Sequence, residues 1–308
     1  MLNFIFLASG LILLLSGSEF LIKYSGKLAN SLGVSQFVIA FVLISFGTSL
    51  PELASSIFGM INGFPDLVVG GLIGSNITNI LLVISIYIII VPIKKFNQNI
   101  NFQNMSSFLM SIIFSLLCII GTKFNFIFGI IFIFILIYII QNELKSNTLK
   151  IVKNFKDQTY SISKSILIII FSITSIIYGS KLFINSSINL ATTLGVSEAL
   201  IGITLVAIGT SMPELIVSII AAIKRNNEFV LGNILGSNIY NILGIFGIST
   251  FFETISIPLR IEKFDIYTFL ISATFLSVTI LVCKKLPRMF GIIGLLSYFV
   301  YLNYIIIF

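Results

Sequence analysis

Two glutamates carry the sharpest chemical signal in this chain. Glu52 and Glu214 each follow a proline, in Gly47-Thr48-Ser49-Leu50-Pro51-Glu52 and Gly209-Thr210-Ser211-Met212-Pro213-Glu214, deep inside strongly apolar stretches. A carboxylate in such a place costs a few kcal/mol and needs a partner. No Lys or Arg lies near the middle of any apolar stretch to supply one, so a cation from solution is the natural partner. A protonated Glu hydrogen-bonded between helices is the plainer alternative. It does not explain why the same residue recurs in matched contexts.

The surrounding residues suit cation binding. Pro51 has no N–H to give the Gly47 carbonyl, and Pro213 has none for Gly209. Both breaks also disturb the Thr48 and Thr210 carbonyls. Freed carbonyls in hydrocarbon must find a partner, and unwound carbonyls can coordinate cations. A simple proline kink would not account for a glutamate after each proline. Thr48, Ser49 and Ser56 share a helical face with Glu52, as Thr210, Ser211 and Ser218 do with Glu214. Further on, Ser75 and Asn79 are i, i+4 neighbours, as are Ser237 and Asn241. Interhelical hydrogen bonding is the plainer reading for these side chains. All the candidate ligands are oxygens, a hard set that suits calcium or sodium and not zinc or copper.

The two motifs belong to an internal repeat at an offset of 162 residues (214 − 52). At that offset Gly17-Ser18 meets Gly179-Ser180, Leu32-Gly33-Val34-Ser35 meets Leu194-Gly195-Val196-Ser197, and Gly74-Ser75-Asn76-Ile77 meets Gly236-Ser237-Asn238-Ile239. Gly70/Gly74 and Gly232/Gly236 form G-x-x-x-G pairs that let helices approach closely. The matches are largely Gly, Pro, Ser, Asn and Glu, not the Leu and Ile that any two apolar helices share. Duplication explains them.

The elements that position these residues are transmembrane helices. The chain is 57% hydrophobic and 9% charged, against about 25% charged in a soluble domain; lipid is its solvent. With no His, His-based metal sites and Ser-His-Asp triads are excluded. With no Trp, any interfacial aromatic belt is Tyr and Phe. Cys118 and Cys283 lie within apolar runs and read as small core or lipid-facing residues. Met1–Leu15 has no positive n-region and no A-x-A-like site, so it is expected to be the first span and not a cleaved leader.

Ten spans are expected, at 2–22, 37–61, 67–91, 105–121, 125–141, 164–186, 199–223, 229–251, 266–283 and 289–307. The polar stretch 142–163 divides them into a first five-helix repeat, 1–141 (motifs 40–82), and a second, 164–308 (motifs 202–244). An odd number of spans per copy turns the second upside down, giving an all-α inverted repeat with its site near the midplane. If the 142–163 loop is cytoplasmic, of the 18 Lys and Arg only Lys123, Lys181, Arg260 and Lys263 lie outside, leaving 14 inside. The positive-inside rule favours this arrangement, with both termini external. The net charge of +7 then belongs to loop topology and not to nucleic acid.

The paired G-T-S-[LM]-P-E and G-S-N-I-x-N-I motifs resemble the α-repeats of the cation/calcium antiporters, and within them the sodium/calcium exchangers. The resemblance covers nearly the whole chain. It implies a sodium/calcium antiporter of a prokaryotic cell membrane, not an enzyme, with no cofactor beyond the transported ions and with a monomer as the expected unit. It implies calcium between Glu52 and Glu214 with the Thr48 and Thr210 carbonyls. Sodium sites would reuse both glutamates with Ser49, Ser75, Ser211 and Ser237, plus carbonyls near Ser45 and Ala207. Asn79 and Asn241 would face the centre. Some prokaryotic members carry Asp where Asn241 stands, so the present core holds only two carboxylates, and potassium dependence stays open. The 142–163 loop leaves no room for a calcium-sensing domain. By the same resemblance, spans one and six slide against the other eight. A proton/calcium exchanger would carry a G-N-x-x-E signature, which the motifs here lack. A channel would need a continuous pore, and an intramembrane enzyme a nucleophile-base pair that is not visible.

Overall fold

The computed structural model describes residues 2–63, 65–96, 100–147, 161–193, 211–256 and 263–307. These residues are nearly all helical. Helix α1 is Leu2–Leu32. Helix α2, Gln36–Thr48, meets α3, Leu50–Ile61, at a bend of 41°. Helix α4 runs as Pro65–Thr78, a π-helical turn Asn79–Val83 and Ile84–Ile90. Helices α5 (Asn101–Ile120), α6 (Phe126–Asn147) and α7 (Ile162–Thr193) follow. Then come α8 (Met212–Ile223) and α9, Asn227–Ser249, with a π-helical turn at Tyr240–Ile245. The chain closes with α10 (Lys263–Val278 and the π-helical turn Thr279–Cys283) and α11 (Arg288–Ile307).

Among the described residues, eight helices are long and apolar enough to cross a membrane, or nine if α2 and α3 form one broken span. The start of the expected 199–223 span, with the 194–197 half of the repeat, lies outside the described residues; its end is α8. Most of the 142–163 linker also lies outside them. Its edges are helical, because α6 continues to Asn147 and α7 begins at Ile162.

Several spans are longer than expected: α1 continues past position 22, α6 past 141 and α7 past 186. The expected end of the first span stopped just before Lys23, but a lysine stem lets its ammonium leave the apolar zone without ending the helix. Lys23 is exposed, and the Lys27 ammonium sits 4.5 Å from the Tyr24 ring centroid. Buried Ser18 and Ser25 donate back to the Leu14 and Ile22 carbonyls at 2.7 and 2.9 Å, so neither hydroxyl is stranded.

Helices α1 and α7 pack along each other closely. A Cβ on Gly10 would stand 2.8 Å from the Gly179 carbonyl oxygen, and one on Gly17 would stand 3.1 Å from the Ser172 carbonyl oxygen. As α1 advances from Gly10 to Gly17, its partner recedes from Gly179 to Ser172, so the two helices are antiparallel. The Ser175 hydroxyl donates to the Leu13 carbonyl at 3.1 Å in the same seam.

Helices α4 and α9 form the centre; α9 is buried from Phe229 to Gly247. Gly232 and Gly236 let α9 lie against the α2 backbone. A Cβ at Gly232 would be 2.5 Å from the Phe37 carbonyl oxygen, and one at Gly236 would be 2.6 Å from that of Phe41. Two short pairings tie connecting segments at opposite ends of the bundle. Lys123–Phe124 pairs antiparallel with Ile255–Ser256. Ile93 and Leu286 exchange backbone hydrogen bonds of 3.0 and 2.8 Å.

Candidate ion site

The proline motifs produce two matching breaks. Ser49, between α2 and α3, has φ −85° and ψ 7°; Ser211, just before α8, has φ −88° and ψ 8°. In each case the proline falls in the first turn of the following helix, where its missing N–H costs nothing. Each glutamate therefore enters the first turn of a new helix, at its electropositive end. Glu52 is 3% exposed and Glu214 is fully buried.

The structure brings the hydroxyls expected from the motifs to these carboxylates. Ser75 donates to Glu52 Oε1 at 3.2 Å. Ser49 and Ser237 both donate to Glu214 Oε1 at 3.5 Å. Ser211 meets Ser75, Oγ to Oγ, at 3.2 Å. Ser49 thus crosses from the first motif to the glutamate of the second, and one site is built from both halves. The Ser45 carbonyl accepts the Ser49 N–H at 3.1 Å and faces the Thr48 hydroxyl at 3.3 Å. Thr210 and Ala207 lie outside the described residues.

The asparagines make a contact that their spacing did not disclose. Asn79 Nδ2 donates to Asn238 Oδ1 at 3.1 Å, and Asn241 Nδ2 donates to Asn76 Oδ1 at 3.0 Å and to Ser75 Oγ at 3.3 Å. Positions 76 and 238 are repeat partners, as are 79 and 241, so the two bridges are exchanges of one contact. Both sit where a π-helical turn interrupts α4 or α9, and such turns are common at functional sites. Asn76 and Asn238 stand within the repeated G-S-N motif; that was the available signal for them.

Four carboxylate and amide oxygens of the candidate ligands, Glu52 Oε2, Glu214 Oε2, Asn79 Oδ1 and Asn241 Oδ1, are among the buried polar atoms without a partner among the described residues; Ser218 Oγ and Asn233 Nδ2 are others. All are buried, and neither glutamate pairs with a Lys or Arg among the described residues. Buried polar atoms are rarely left without partners. Here the unpartnered oxygens include one from each of the two carboxylates. Such a set accepts a hard cation or a pair of smaller charge.

The chain matches the model of the family described as sodium/calcium exchanger protein over residues 2–142 and 164–307. It is 31% identical over 300 residues to the sodium/calcium exchanger MaX1 of Methanosarcina acetivorans, covering 83% of this chain and 84% of that one. It is 35% identical over 244 residues to the membrane protein MJ0091 of Methanocaldococcus jannaschii, covering 79% of this chain and 80% of that one. Among solved structures, the sodium-calcium exchanger NCX_Mj, soaked with 10 mM Na+ and zero Ca2+, superposes with a TM-score of 0.87 at 31% identity, over 98% of both chains.

Proposed function

Because this chain belongs to the sodium/calcium exchanger protein family, we propose that it exchanges sodium for calcium across the membrane by alternating access, with both ions competing for Glu52 and Glu214. The observation that carries this reading is the buried set of four donor-less oxygens on Glu52, Glu214, Asn79 and Asn241. Two carboxylates without basic partners leave the empty carrier charged in a poorly solvated place. Occupation by one calcium, or by sodium ions, neutralises them and lets the carrier turn over. Ser49, Ser75, Ser211 and Ser237 are the neutral ligands that divide the site for sodium. The carbonyls of Thr48 and Thr210, and those near Ser45 and Ala207, complete the shells.

The architecture that serves this cycle is two inverted five-helix repeats, 1–141 and 164–308, joined by the 142–163 linker. Three features support it. The antiparallel α1 and α7 are repeat partners, the backbone breaks at Ser49 and Ser211 match, and the asparagine bridges exchange partners.

The assay is sodium-driven calcium-45 flux in proteoliposomes, with sodium, potassium and proton gradients imposed one at a time. A sodium gradient alone is expected to drive uptake. Uptake that needs potassium, or that follows the proton gradient without sodium, would replace this reading with a potassium-dependent or proton-coupled exchanger.

Orientation follows from the basic residues. The Ile93–Leu286 pairing gathers Lys94, Lys95, Lys284, Lys285 and Arg288 at one end, while the pairing of Lys123–Phe124 with Ile255–Ser256 marks the other. The first end is cytoplasmic in a prokaryotic cell membrane and both termini are external. Single cysteines at 150 and at the C-terminus, treated with an impermeant thiol reagent in intact cells, test this. Labelling at the C-terminus and not at 150 is expected; the reverse pattern means the protein sits upside down.

A further inference from the structure

Asn233 lies four residues before Ser237, on the same face of α9, and is fully buried. The flanking Gly232 and Gly236 press that stretch of α9 onto α2, so Asn233 is sealed against Thr48. Its repeat counterpart is Gly71, which has no side chain to offer, so nothing in the duplication marks this position.

The hydrogen bonds around it do not balance. Thr48 has one hydroxyl proton, yet its Oγ1 stands 3.3 Å from the Ser45 carbonyl and 3.3 Å from Asn233 Oδ1. Two acceptors compete for one proton. Meanwhile Asn233 Nδ2, with two protons, has no partner among the described residues. Turning the amide by 180° exchanges its oxygen and nitrogen without changing its shape. Nδ2 then donates to Thr48 Oγ1, and the Thr48 proton is free for the Ser45 carbonyl. The amide oxygen becomes the donor-less atom, in a buried place one helical turn from Ser237, which donates to Glu214.

We infer that Asn233 presents its amide oxygen to a sodium ion on the Glu214 side of the site, making that half richer in ligands than the Glu52 half. The inference rests on the two-glutamate reading above. A neutral oxygen added to one side favours a small monovalent ion held there, while a calcium shared between the two carboxylates depends on it less.

The test uses the purified full-length protein, with calcium-45 exchange in proteoliposomes and sodium-dependent protection against heating in detergent. Asn233→Leu keeps the volume and removes the oxygen. It is expected to raise the sodium needed for half-maximal exchange and for protection about tenfold, while half-saturation by calcium moves less than about twofold. Asn233→Ser keeps a neutral oxygen there and is expected to hold the sodium response within about threefold of the parent. Should the Leu variant elute as aggregate, Asn233→Gly, which copies Gly71, is expected to show the same sodium shift. A parent-like sodium response in the Leu or Gly variant overturns the inference. So does an equal loss for both ions in the Leu and Ser variants, which would make Asn233 a packing residue. Glu52→Gln is assayed beside them. If it still exchanges, the two-glutamate site itself is wrong; if it is inactive while Asn233→Leu behaves as parent, only the role of Asn233 falls.

Discussion

Replacing either central carboxylate is expected to abolish exchange. Glu52→Gln or Glu214→Gln keeps shape and hydrogen-bonding capacity but removes one of the two negative charges in the site. Each glutamate has one oxygen held by serine hydroxyls and one with no donor among the described residues. An amide in place of the free oxygen would turn N–H groups toward an incoming cation, or lose charge where charge matters most. Calcium-45 uptake driven by a sodium gradient should fall at least about 100-fold, equivalent to roughly 2.8 kcal/mol. The elution profile of the purified protein should not change, because a neutral amide is cheaper to bury than a carboxylate. Uptake near the parental rate in either variant would remove that residue from the site.

The second large effect concerns packing. At Gly236 a Cβ would sit 2.4 Å from Ser45 Oγ, 2.6 Å from the Phe41 carbonyl oxygen and 2.7 Å from Ser45 Cβ. Phe41 O belongs to the α2 backbone and cannot step aside alone. Gly236→Ala therefore has to push α9 away from α2, and Ser237 is the next residue along. Overpacking of this kind costs about 1–3 kcal/mol. We expect a lower melting temperature and exchange reduced several-fold. Gly244→Ala on the same helix is the control. Its Cβ would meet only the end of the Leu136 side chain at 3.3 Å and the Tyr240 ring at an ordinary 3.5 Å, so it should melt within a few degrees of the parent. Equal melting of the two variants would show that the α2–α9 approach has slack.

Much of the site was readable because the chain states it twice. Pro51 and Pro213 announce their breaks through missing N–H groups, and the structure puts a bend or a helix start at each. Ser49, Ser75, Ser211 and Ser237 were found through helical spacing and repetition, and all reach the glutamates or one another. What was missed depends on relations that spacing does not encode. Hydropathy windows end at charges, so they could not see α1 passing Lys23 and Lys27 while those side chains reach outward. The π-helical turns at Asn79 and Asn241 add a residue to the helical turn without leaving a signature in residue type. Asn233 was invisible for the opposite reason: its partner in the duplication is Gly71, and a search for matched pairs passes over an unmatched residue.

The seam between α1 and α7 has an evolutionary consequence. Leu13 and Ser175 are separated by 162 positions, so the hydrogen bond between them joins a residue to its own duplicate. In the inverted-repeat architecture proposed above, such a contact lies where a two-fold axis relates the halves. Two separate identical subunits would have to place the same residue at both ends of it, and any substitution would strike both partners at once. Fusion into one polypeptide lifts that demand. A hydroxyl can then face a bare carbonyl across the axis, each half free to drift on its own side.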